Sequence, residues 1–564
     1  MQLRPTVVAL VSTVLPSVVG QQIWDIWETT WDRSKLLTYT NLGSPINFAS
    51  PGAIGSADIS INDGAQFQSI LGFGGSLTDS SALTLNNLKN RNPTNYRDLI
   101  NYLFNPADGA NAAGLSYIRV PMWVLSASTS TSTDPSFSGA SDFSASLYSL
   151  DDTSGDTSFN NFNINRSPSY LFSVLKDIIA VNNLVKVHLV PWSPPAWMKD
   201  SGTMNGGSLQ SQFVSAYPRY LLKAVQGFQA QGIRVSAISI QNEPQNSNPT
   251  YPTCFMTPAV EGQIGTGLRS LLNSNGLSGV KVIGFEHNWD IVSYPVQLMQ
   301  QAGGAFAGVA FHCYGGSVAN QDTFHNAFPS KEIYFSECSG TFGSDWWSDI
   351  KWYMDNLWIG SLEHNAVAAL MWNIALDGNG NPKTPGTDSC GGPGCRALVT
   401  VNGDGSWSVN QEFYSMAQAS KAIIPRDVGG PFGKRIGVSL GGSQGWALRV
   451  GAYVTGRTNP SDWLRYSLVV LNWNDNASAS WNPQPVTTTI QFRGVQARYT
   501  FPVGVTTLWW YAPATGSFVS GNSTTGFNTT SQIDHPMFNS TAMAQRNEEL
   551  KWVKGTSNSS ALHL

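Results

Sequence analysis

Two glutamates stand where a carboxylate is costly unless it has a task. Glu243 lies in the run Ser239-Ile240-Gln241-Asn242-Glu243-Pro244, and Glu337 in Tyr334-Phe335-Ser336-Glu337-Cys338-Ser339-Gly340. Each follows a short apolar stretch of strand character, where burying an ionised carboxyl is unfavourable without a partner. A pair of carboxyl groups suits cleavage of a glycosidic bond. One group protonates the leaving oxygen, and the other attacks the anomeric carbon or activates water. A single glutamate after a strand is usually a solvated loop residue. Two of them, on the fourth and seventh of eight similar strands, weigh against that reading.

Those eight strands are the elements that must position the pair. Near-continuous apolar runs recur at residues 69–73, 115–121, 185–191, 235–240, 280–285, 308–314, 333–336 and 366–372. Runs such as LSYIRVP, VKVHLVP and VAALMWN lack the alternation of a half-exposed sheet, as expected of parallel strands covered on both faces. Helix-compatible segments separate most of them, and residues 213–229 have a clear amphipathic pattern. Eight such repeats predict an α/β fold, a (β/α)8 TIM barrel, whose chemistry sits at the C-terminal ends of its strands. The flanks read differently. Residues 24–64 and 436–511 carry alternating or β-branched stretches separated by turn residues, such as TTTIQFRG and TTLWWY. They predict antiparallel strands that meet in a side β-sandwich built from both chain ends. The expected division is a signal peptide at 1–20, N-terminal strands at 21–65, the catalytic barrel at 66–425, the C-terminal β-sandwich at 426–514, and a Ser/Thr/Asn-rich tail at 515–564.

Composition narrows the function. The chain has 564 residues, with only 12% charged, 11% aromatic, 20 Trp and a net charge of −4. That charge gives no footprint for nucleic acid or an anionic membrane, and abundant Trp suits stacking on sugar rings, although most will be core. Arg4, the apolar stretch 6–15 and the small residues Val18 and Gly20 predict a secretory leader. Sequons at Asn165, Asn476, Asn522, Asn528, Asn539 and Asn558 agree with a secreted, extracellular protein. Five cysteines leave at least one unpaired. The tight return Cys390-Gly391-Gly392-Pro393-Gly394-Cys395 predicts a disulfide, whereas Cys338 is expected to be a buried free thiol beside Glu337. Without a second cysteine pair or a nearby histidine, no metal site is expected.

Several stretches, in order and spacing, carry a resemblance. They are Gly72-Phe73-Gly74-Gly75-Ser76-Leu77-Thr78-Asp79, Ile118-Arg119-Val120-Pro121, Pro191-Trp192-Ser193-Pro194-Pro195-Ala196-Trp197-Met198-Lys199, Gln241-Asn242-Glu243-Pro244, Phe335-Ser336-Glu337-Cys338 and Trp372-Asn373-Ile374-Ala375-Leu376. Over roughly residues 50–511 the sequence resembles glycoside hydrolase family 30, which includes fungal endo-β-1,6-glucanases and lysosomal glucosylceramidase. The resemblance implies a retaining double displacement with Glu337 as nucleophile and Glu243 as acid/base. It implies that Asn242 holds the sugar 2-hydroxyl, that Arg119 keeps the nucleophile ionised, and that Tyr314, of a His-X-Tyr motif with His312, hydrogen-bonds it. Trp192 and Trp372 would line the −1 subsite. The sequence departs from the family where residues 123–140, rich in Ser and Thr, precede Ser141-Asp142-Phe143-Ser144. Asp142 is still expected to bind sugar.

An endo-β-1,6-glucanase is the foremost implied activity. A glucosylceramidase, a β-1,6-galactanase or xylanase, and an inactive carbohydrate-binding protein are the alternatives. The expected protein is a monomer acting on a polysaccharide, with no cofactor and no nucleic-acid or membrane partner. Glu243, facing apolar and aromatic walls, is expected to have a raised pKa so that it starts as an acid, and Glu337 a low one.

Overall fold

The computed structural model describes residues 21–122, 141–144, 149–384, 386–387 and 389–514. The expected leader, the 123–140 insertion, the tail, and the sequons from Asn522 onward lie outside them. Eight parallel strands close into a barrel in chain order: Gly72–Ser76, Tyr117–Met122, Lys186–Pro191, Val235–Ser239, Lys281–Asn288, Gly308–His312, Glu332–Glu337 and Ala366–Met371. Most of their residues are buried, because helices cover the outside and side chains fill the inside. Tyr117, Ala237, Ile283, Ala310, Tyr334, Ala368 and Leu370 form that inner plug. Large and small residues mix there, so the barrel is a packed core and not a pore.

The first strand begins three residues later than the sequence predicts. The stretch Ala57–Ser69 is instead one long strand of the side sheet. The barrel strand itself is Gly72-Phe73-Gly74-Gly75-Ser76, whose glycines carry no β-strand signal. Gly74 is required by packing, since a Cβ there would lie 1.8 Å from the Tyr117 carbonyl oxygen. The amphipathic helix expected at 213–229 runs over Tyr217–Ala230, with Pro218 in its first turn and a short 3-10 turn at Ser211–Phe213 before it.

The flanks meet in one nine-stranded sheet. Asp25–Thr30 and Ala57–Ser69 from the N-terminal side are hydrogen-bonded among strands between Lys434 and Ala512. The sheet folds back on itself. Phe492 and Trp510 lie on strands five places apart in the sheet order, yet their ring centroids are 5.3 Å apart. In a flat sheet, with strands about 4.8 Å apart, they could not meet. The apolar residues between the layers form a separate core from Ile23 to Ala512, which makes this a sandwich. Helix Gln411–Ile423, buried almost all round, packs between sandwich and barrel.

Cys390 and Cys395 are bonded, as their spacing predicts. The expectation for Cys338 is overturned, because it is bonded to Cys313 and the free buried thiol is Cys254. The reason is barrel register. His312 pairs with Glu337 across the sixth and seventh strands, so the next residues, Cys313 and Cys338, emerge side by side with Cα atoms 5.3 Å apart.

Candidate active site

Glu243 and Glu337 both lie at the C-terminal rim of the barrel, past the fourth strand and at the end of the seventh. Their surroundings differ. Glu337 Oε2 accepts from Arg119 Nη1 at 2.5 Å, and Oε1 accepts from the Tyr314 hydroxyl at 3.0 Å. Arg119 is fully buried on the second strand. Its other nitrogen donates to Asn242 Oδ1 at 2.5 Å and to Glu286 at 3.1 Å. The guanidinium lies over Trp192 at 4.7 Å, and Trp192 stacks on Trp372 with centroids 5.2 Å apart. A buried cation is tolerable only when paired and hydrogen-bonded, and here two carboxylates and an amide meet that demand.

Glu243 has positive φ, +46°, and its Oε2 accepts from the Asn246 amide at 2.9 Å. Its Oε1 faces two imidazoles, His312 Nδ1 at 3.2 Å and His287 Nδ1 at 3.7 Å. This corrects the expectation of a raised pKa. Burial pushes Glu243 up, but the His312 hydrogen bond and the two facing imidazoles outweigh burial and hold it well below the usual range. His312 bridges to Glu286 through Nε2 at 3.2 Å. Burial pulls His312 down, yet the Glu337 charge and the bonds to Glu243 and Glu286 raise it to about 9. Glu243 and His312 thus form one coupled pair, in which the imidazole favours the glutamate's carboxylate and the glutamate favours the imidazolium.

All nine residues predicted for the site lie at this rim. Asp142 is among them despite the preceding insertion. Burial raises its pKa to about 7 against a Ser389 hydrogen bond, with the charges of Glu337 and Glu243 adding to the rise.

Sequence reading missed Glu286 and His287. Glu286 is completely buried and accepts from Arg119, His312, Ser239 at 2.5 Å and Ser336 at 2.6 Å. Burial raises it, but Arg119 and His312 prevail and keep it ionised. Phe285 and Glu286 have φ of +75° and +51°, where the ladder to the sixth strand shifts register between Gly284 and His287. That bulge turns Glu286 inward and brings His287 beside Glu243. Glu286 obeys the same rule that exposed Glu243 and Glu337, a carboxylate just past an apolar strand. Glu243, His287 and His312 also offer one ligand atom each within 4.8 Å of one another, a trio that could hold a metal ion.

A closed barrel with two differently held glutamates at the C-terminal rim defines a barrel glycosidase. Residues 70–385 match the glycosyl hydrolase family 30 TIM-barrel domain, and the chain belongs to that family. It is 30% identical over 457 residues to an endo-1,6-beta-D-glucanase of Neurospora crassa, covering 78% of this chain and 86% of the relative. A putative glucosylceramidase 4 of Caenorhabditis elegans is 27% identical over 67% of this chain and 71% of its own length. Among solved structures, the endo-beta1,6-glucanase BT3312 superposes with a TM-score of 0.71 at 25% identity, covering 86% of this chain and 99% of that one.

Proposed function

We propose that this protein is an exported, retaining endo-β-1,6-glucanase with Glu337 as nucleophile and Glu243 as acid/base. The carrying observation is the asymmetry between the two glutamates. Glu337 is held by a guanidinium and a phenol, which favour an anion ready to attack. Glu243 faces the His312 imidazole, which can supply and recover a proton, with His287 beside it.

In the first step Glu337 Oε attacks the anomeric carbon and the bond to the glycosidic oxygen breaks. That oxygen takes a proton from Glu243, which draws it from His312 across their 3.2 Å contact. Glu337 loses its charge in the glycosyl ester, and with it goes the negative charge that most favours protonated His312. Glu243 then takes a proton from water as the water attacks, and the ester breaks. Asn242 and Asp142 are placed for sugar hydroxyls, and the Trp192 and Trp372 stack for the pyranose face. Glu286 neutralises Arg119 and orients His312.

The β-1,6 linkage rests on likeness to the Neurospora glucanase and to BT3312. Export rests on the leader-like residues 1–20 and the exposed sequon residues Asn165 and Asn476. The test is reducing-sugar release from pustulan, xylan, arabinogalactan and glucosylceramide, with Glu337→Gln as the control. Cleavage of pustulan by the parent alone is expected. Preference for glucosylceramide would favour the glucosylceramidase reading instead.

A further inference from the structure

Outside the active site, a groove of about 470 Å3 opens where the barrel meets the sandwich. Such a volume falls within the roughly 300–1,000 Å3 of small-ligand sites. Trp31 and Trp481, from the two flanks of the chain, form one wall. Their rings meet edge to face at 4.9 Å, and Trp481 is 45% exposed. The other wall is the start of helix Trp346–Tyr353. There Arg33 lies over the Trp346 ring at 4.7 Å, and the buried Trp346 indole N–H has no hydrogen-bond partner among the described residues. Asp32 and Asp345 add carboxylates at the rim. The floor is braced, since Trp347 Nε1 and Lys351 Nζ both donate to Asp475, at 2.7 and 2.6 Å.

An exposed indole face beside carboxylates and a guanidinium matches a neutral pyranose. The ring offers C–H faces to the aromatic and hydroxyls to the charged groups. One wall of the groove also starts close to the active site along the chain. Helix Trp346–Tyr353 follows the seventh barrel strand, and Asp345 is eight residues after Glu337, so the two are at most roughly 28 Å apart along the chain. A polymer held in the active site can reach it, and a second hold at that range raises the effective concentration of the chain at the first.

We infer that this groove is a second carbohydrate site that binds a β-glucan chain beyond the segment being cleaved. The inference rests on the glucanase reading for the identity of the polymer. A purely apolar ligand would not need the carboxylates of Asp32 and Asp345 beside the aromatic wall.

The test uses the full chain carrying Ser478→Ala, which removes the sequon of Asn476 beside groove residue Ala477. In this background Trp481→Ala and Trp481→Tyr are compared with the parent. With Glu337→Gln added to stop turnover, affinity electrophoresis in soluble β-1,6-glucan should show Trp481→Ala binding roughly three- to tenfold more weakly, and Trp481→Tyr close to the parent. In the active proteins, KM on the polymer should rise by a similar factor with kcat unchanged. Rates on a short aryl β-glucoside should not move. Equal retardation of all three proteins overturns the assignment, as does a parallel fall on the short substrate, which would make Trp481 a structural prop. A parent that does not cleave the glucan overturns the substrate reading and this occupant together. Cleavage with unchanged polymer binding overturns the groove alone.

Discussion

Replacing His287 by Phe keeps a ring of similar size and removes the nitrogen that faces Glu243 Oε1 at 3.7 Å. Glu243 is held down by two imidazoles against the opposing effect of burial. Its side chain is only 13% exposed, so solvent screens little of the change. At 3.7 Å the contact is too long for a hydrogen bond, so it contributes as a nearby polar and charged group, about 1 kcal/mol. At about 1.4 kcal/mol per pKa unit, the Glu243 and His312 pair should then release its proton about 0.7 unit higher. The sign follows from the loss of a group that favours the carboxylate. The assay is kcat/KM against pH on β-1,6-linked gluco-oligosaccharides, whose poor leaving group needs acid assistance. The alkaline limb should move up by about 0.7 pH unit in His287→Phe. On an aryl glucoside with a good leaving group that limb should hardly respond. An alkaline limb that stays in place, or moves down, refutes the reasoning that His287 restrains the acid/base.

Four further outcomes are expected. Glu337→Ala should lose activity by a factor on the order of 10^4 or more and regain turnover with azide, giving a glycosyl azide of inverted configuration. Glu243→Ala, assayed with a good leaving group, should give the retained azide. Arg119→Met strands the buried carboxylates of Glu337 and Glu286, so thermal or urea unfolding should show a loss of about 3–5 kcal/mol; an unchanged transition would contradict the pairing. Glu261 is fully buried, accepts from the Phe285 N–H at 2.9 Å, and is raised by burial to about 7. Its contribution to stability is complete below pH 4.5 and lost as pH rises through 7, so the melting temperature of Glu261→Gln relative to the parent should climb between pH 5 and 8.

The barrel is legible in the sequence because parallel strands covered on both faces must be apolar throughout, and VKVHLVP or VAALMWN cannot serve a half-exposed sheet. Its first strand is not, because close approach to Tyr117 demands glycine, which leaves no apolar signature. Glu243 and Glu337 are visible as carboxylates just past strands, while the expected roles of Asn242, Arg119, Tyr314 and the tryptophans come through family resemblance. Glu286 escapes because the apolar run of the fifth strand ends at Phe285. The left-handed bulge that carries it inward has no periodic signal. The protonation of Glu243 is hidden for the same reason, since His287 reaches it only through that bulge. The Cys313–Cys338 bond depends on the register of two barrel strands, which spacing in the chain does not encode.

The central claim is that the two glutamates act by double displacement. It is tested most directly by proton NMR of the anomeric region during the first minutes of β-1,6-glucan hydrolysis, before mutarotation mixes the products. The account predicts that the β-anomer forms first and the α-anomer grows in only as mutarotation proceeds. Initial appearance of the α-anomer would contradict it, because a single inversion has no place for a glycosyl ester on Glu337.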